Sequence, residues 1–167
     1  MKGLLVVCTV ATLAFLTACG GNNKAGRQVA DDSLKVINTV PEWTEADSTI
    51  YGHADGFGQG GFTLVADDGS EWELALTSEN DKGSEYGIIY GERNDTARYA
   101  ITTRDNNEAL GVMINLSQLG KFVKDYDIYN CHLILKDGEN RDWVEIEELN
   151  DTVFRAKGKS GKSYVLR

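Results

Sequence analysis

"GFTLVADDGSEWELAL", Gly61 to Leu76, decides the fold. Phe62, Leu64 and Ala66 alternate with Thr63 and Val65. After Asp67-Asp68-Gly69 the apolar positions resume at Trp72, Leu74 and Leu76, alternating with Glu71, Glu73 and Ala75. A period of two on both sides of an Asp-Gly turn is the pattern of an antiparallel hairpin with one face on a core. A one-residue slip would turn every apolar side chain of the pair to water, so the register is strongly set. Phe62, Leu64, Trp72 and Leu74 are expected to face inward.

The same device recurs along the chain. "STIYGHAD" reads as a strand before this hairpin, and "DTARYAITT" and "EALGVMINL" form a second hairpin across Arg104 to Asn107. "NCHLILKDGENRDWVEIEEL" repeats it with Asp137-Gly138 in the turn and Leu133 and Leu135 inward, and "DTVFRAKGKSGKSYVLR" closes the chain with a last hairpin. About nine short strands at this spacing predict a mostly β protein, a small antiparallel barrel built from hairpins. Helix is expected only as one turn in "INLSQLGKF", stopped by Gly120. "SENDKGSEYGIIYGE" reads as a loop with a short helix or strand.

The amino end has a different character. Met1-Lys2 precedes a mostly apolar run from Leu4 to Leu16, the layout of a secretory signal peptide and too short to span a bilayer. The string Leu16-Thr17-Ala18-Cys19 resembles the bacterial lipoprotein lipobox. That resemblance implies cleavage before Cys19 and a diacylglyceryl group on its sulfur, a covalent lipid in place of any cofactor. Two or three acyl chains hold a protein stably on a membrane where one would not, at about 0.8 kcal/mol per buried methylene. The alternative is a plain secreted protein with Cys19 free. With Gly20 after the cysteine, where an aspartate marks inner-membrane retention, the resemblance implies an outer-membrane lipoprotein facing the periplasm. "GGNNKAGRQVA" lacks the acidic residues of a surface-export signal. The expected organisation is a signal peptide over 1–18, a flexible tether over 19–47, a barrel-like half over 48–115 and a β meander over 116–167 packed on it.

Composition narrows the partners. The net charge of −9 argues against nucleic acid, whose phosphates demand clustered Lys and Arg. Of three cysteines, Cys8 leaves with the leader and Cys19 is the lipid site, so Cys131 has no intramolecular disulfide partner. Read as one strand, Tyr129, Cys131, Leu133 and Leu135 share an apolar face while Asn130, His132, Ile134 and Lys136 share the other. Cys131 is therefore expected to be a buried, inert thiol that does not pair with His132.

No catalytic constellation stands out. There is no G-x-S-x-G and no H-E-x-x-H. The glycine-dense "GHADGFGQGG" is followed by a strand, so it reads as a bulged turn and not a phosphate loop. Glu79, Asp81 and Glu85 lie close in sequence but lack the spacing of a calcium loop, and no metal site is expected. Trp143 is the one candidate contact residue. If Val144 and Ile146 face the core, it faces out beside Glu145, as a contact surface or covered by the tether or the other half. The basic tail, Arg155, Lys157, Lys159, Lys162 and Arg167, would meet anionic headgroups or pair across strands with Glu145, Glu147 and Glu148.

The order of these strands resembles small lipoproteins of the Bacteroides group, whose T-L-x-L-x-x-D-x-G hairpin is matched by "TLVADDG" here, whose Gly-Asp turn is replaced by Asn94-Asp95, and whose closing run is Met113-Ile114-Asn115-Leu116 then Leu119-Gly120-Lys121-Phe122. The usual tryptophan of that run is Phe122 here. The resemblance implies a lipocalin-like β meander in the second half, and in strand count the first half is similar to an OB-type barrel. Together these readings predict a lipid-anchored envelope module, non-enzymatic, that binds an envelope protein or a small ligand. An envelope enzyme or inhibitor, or a structural spacer, is the alternative.

Overall fold

A computed structural model describes residues 35–80 and 83–167. The leader 1–18, the lipid site Cys19, the first part of the expected tether and Asp81 lie outside the described residues. Thirteen strands and one helix are present among those described. The nine expected strands all form; three more lie in the segment read as a loop with a short helix or strand, and a fourth, at Tyr126–Tyr129, precedes the strand expected there.

The first half is a closed barrel. β1 (Ile50–Asp55), β2 (Gly61–Ala66) and β3 (Glu71–Ala75) form a meander with the register Phe62↔Leu74 and Leu64↔Trp72. β4 (Thr77–Asn80) and β5 (Gly83–Tyr86) make a small side hairpin, and β6 (Ile88–Tyr90) follows. β7 (Arg98–Arg104) and β8 (Ala109–Asn115) are the second main hairpin; β7 pairs with β1. One parallel bridge, Ala75↔Ala109, joins β3 to β8 and shuts the ring. This is an OB-like strand order. It corrects the purely antiparallel expectation in two places, because β6 also pairs parallel with β8. Gly52 sits where β1 crosses β2 so closely that a Cβ would lie 2.3 Å from the Val65 carbonyl oxygen.

The alternation dictates the interior. Phe62, Leu64, Leu74, Tyr99, Ile101, Leu110 and Met113 fill the barrel. Trp72 is half-buried against this core, and its indole N–H donates to Ser70 Oγ at 2.9 Å. Leu110 and Met113 both point inward because the β7–β8 ladder shifts register between Thr102 and Thr103, which sets Gly111 outside the alternation. The glycine-dense segment links β1 to β2, and its Phe57 packs on Phe62 and Tyr99.

α1 (Leu116–Phe122) follows β8 directly. Asn115 caps it, its side-chain oxygen accepting from the Gln118 N–H at 2.9 Å. The helix ends at Val123, so Gly120 lies inside it and is not its stop.

The second half is an open five-stranded meander: β9 (Tyr126–Tyr129), β10 (His132–Asp137), β11 (Asn140–Leu149), β12 (Phe154–Gly158) and β13 (Ser163–Leu166), paired in sequence order. It has the up-and-down order of a lipocalin over five strands, without the closed ring of eight. Leu133, Leu135, Val144, Ile146, Phe154 and Ala156 pack against Ala100, Ile114 and Leu119 on the outside of the barrel. Barrel interior and barrel–meander interface are thus two separate cores.

Candidate functional site

The chain before β1 is not free along its described part. Residues 37–39 lie beside the start of β11: Arg141 N–H donates to the Ile37 carbonyl at 2.7 Å, and Thr39 N–H to the Arg141 carbonyl at 3.0 Å. The far end is fixed as firmly. Tyr129 Oη donates to the Glu45 carbonyl, Asp47 accepts from Asn130 N–H at 2.8 Å, and Asn130 Oδ1 accepts from Ser48 N–H at 2.7 Å. The flexible tether expected over 19–47 is therefore corrected over residues 37–47, which form a strap tied at both ends. Its middle holds Pro41, which has no N–H to offer a partner.

A buried carboxylate fixes the first end. Asp142 shares the inward face of β11 with Val144 and is 3% exposed. It accepts from Thr39 Oγ1 at 2.8 Å, from Ser160 N–H at 3.1 Å and its hydroxyl at 2.5 Å, and from Tyr164 Oη at 2.8 Å. Burial alone would raise its pKa; these donors outweigh it and hold the group below its ordinary value. Gly158 leaves it room, since a Cβ there would lie 2.0 Å from Asp142 Oδ2.

The middle of the strap is held by an aromatic stack. Trp43 lies over Tyr129 (centroids 4.8 Å apart, planes at 20°) and over His132 (5.3 Å, 10°), and tilts against Trp143 at 5.4 Å. Tyr129 and His132 are cross-strand partners on either side of the β9–β10 turn. Trp143 faces outward as expected, and the strap half-buries it. Lys159 Nζ stands 5.2 Å from its ring centroid. Burial, with Lys159 as a second cause, lowers the His132 pKa and so favours the neutral ring. The Trp43 indole N–H is buried without an acceptor among the described residues.

Beside the strap runs a groove of about 700 Å³, lined among others by Trp43, Tyr51, Arg98, Tyr126, Tyr129 and Arg141. Its lining holds two cations, Arg98 and Arg141, and two carboxylates, Asp127 and Glu42. Arg141 bonds Asp127 at 2.9 Å, and Arg98 bonds Asp67 while lying over the Tyr51 ring. A second cavity, of about 640 Å³, opens on the His132 side of Trp43.

Cys131 is buried as expected, but for a different reason. Asn130 and Cys131 have φ of 48° and 55° and form the two-residue turn between β9 and β10, a type I′ geometry. The single strand expected over 129–136 is thus a turn and a strand. Cys131 Sγ tucks toward the Val112 carbonyl, and burial pushes the thiol pKa up to about 12. In the tail, Arg155 pairs with Glu148 at 3.4 Å and Lys159 approaches Glu145 at 3.9 Å, the cross-strand alternative. No group of three His, Cys, Asp or Glu side chains suited to a metal occurs among the described residues.

The sequence singled out Trp143 and missed Trp43, Tyr129, His132 and Asp142. The available signal was Trp43 itself, a large apolar ring in an otherwise polar segment. Comparison with known protein families, with curated proteins and with solved structures gave no match.

Proposed function

We propose that this chain is a lipid-anchored protein of the bacterial cell envelope, held through Cys19 in the outer membrane and facing the periplasm. It acts there as a non-enzymatic binding module, with the strap groove as its binding surface. The observation that supports this reading is the groove itself: aromatic rings and a formally balanced set of charges around about 700 Å³ of open space, between a strap tied at both ends and two packed cores. The thiol and the imidazole that would serve as a nucleophile and its base are engaged otherwise, Cys131 in a buried turn and His132 in a ring stack. The lipobox resemblance supports the anchor.

Two measurements test the reading. Cys19→Ser should move the protein from the detergent phase to the aqueous phase; unchanged partitioning removes the anchor. A library of small polar fragments, surveyed through the amide spectrum of the mature Cys19→Ser chain, should perturb residues of the strap and of the β9–β10 hairpin together. Responses gathered instead on the β1–β2 and β7–β8 loops would move the site to the barrel.

A further inference from the structure

β9 is an edge strand: it pairs with β10 alone among the described residues. The Tyr129↔His132 pair closes the two-residue turn, and Asp127↔Ile134 is the next pair but one. Antiparallel bonding alternates, so Tyr129 and Asp127 direct their backbone groups to β10, whereas Ile128 and Tyr126 direct theirs to the open side. The Lys136 N–H to Asp125 carbonyl bond, 3.1 Å, continues the same phase.

That open side is the groove. All four β9 residues line it, with Val40, Pro41 and Trp43 of the strap along one wall and Tyr51, Arg98 and Leu116 of the barrel and helix along the other. An unpaired strand edge that lines a groove can take a further strand, where main-chain bonds supply affinity and side chains on the two faces supply selection. β9 is four residues long, so its open edge matches a segment of about the same length. The lining carries two cations, Arg98 and Arg141, and two carboxylates, Asp127 and Glu42, so it is formally neutral in a chain of net charge −9, which fits an uncharged guest.

We propose that the groove takes an extended, uncharged peptide segment of a partner protein, which adds a strand to the free edge of β9. This rests on the groove being the binding surface, and it names the ligand class. The guest exchanges main-chain bonds with Tyr126 and Ile128. Its alternate side chains lie against the Trp43 wall and the Tyr51 wall.

The test uses the mature chain with Cys19→Ser and a blocked peptide, acetyl-Thr-Val-Thr-Val-Thr-amide, at concentrations above about 1 mM, where weak contacts register. Hydrogen exchange at the Tyr126 and Ile128 amides should slow at least tenfold, with no change at the barrel amides of β2. The same peptide N-methylated at alternate residues should protect neither. Equal protection by the N-methylated peptide, or no protection by either, overturns strand addition. Maltotriose shifting Trp43 and Tyr129 without protecting the two amides overturns the peptide assignment and leaves the groove as the binding surface. Association only with phosphatidylglycerol vesicles, with the groove amides unmoved, overturns both.

Discussion

Asn130 and Cys131 carry positive φ side by side, and neither is glycine. Asn tolerates this region readily; Cys does not. The position is held from outside, by Ser48 on the Asn130 side chain, Asp47 on its N–H and Thr49 Oγ1 on the Cys131 N–H. A thiol buried there and raised to about 12 has almost no thiolate at pH 7. Native protein should resist alkylation at Cys131 and react on unfolding; fast labelling in the native state would mean that the turn opens. Asp142 gives a second test at this scale. Its folded pKa lies below its unfolded one, so the stability it contributes is complete above the ordinary carboxylate value of about 3.9 and is lost as pH falls through the folded value. Thermal melts of the parent should therefore lose stability below about pH 4. Asp142→Asn should be less stable at pH 7 and show a shallower loss in acid.

At the scale of elements, legibility followed burial on one face. β2 and β3 were readable because Leu64 and Leu74 enter the barrel while Thr63 and Glu73 stay outside. Leu74→Ala should cost about 2–5 kcal/mol and Glu73→Ala no more than about 0.5 kcal/mol, measured as denaturant midpoints. β5 is exposed along its whole length and β6 is three residues long, so neither carries a period to read. β9 and β10 merged in the sequence because their turn holds no glycine, and Ile134 is buried on the face expected to be polar. In the helix, Gly120 has open space around its missing Cβ. Gly120→Ala should stabilise by about 0.5–1 kcal/mol. A loss instead would mean that the α1 backbone needs the glycine.

For the whole molecule, the two strand-rich halves were legible, but not that they build two separate cores, and the strap was legible only as one possible cover for Trp143. Local pattern specifies a hairpin, but nothing near Trp43 announces a seat on Tyr129, His132 and Trp143. Thr39 reaches Asp142 across a sequence separation of 103 residues. During synthesis the strap therefore emerges long before β11 exists to receive it, and Trp43 must wait in water until the meander is made. Contacts of such separation form late, after loop closure has been achieved by other means. Refolding of a Trp72→Phe chain, followed by tryptophan fluorescence, should show a final slow phase after the far-ultraviolet β signal is complete, and Trp43→Ala should lose that phase. The last step in making this protein is then the fastening of its first described residues, so a chain interrupted before residue 142 would hold a finished barrel with its strap undone.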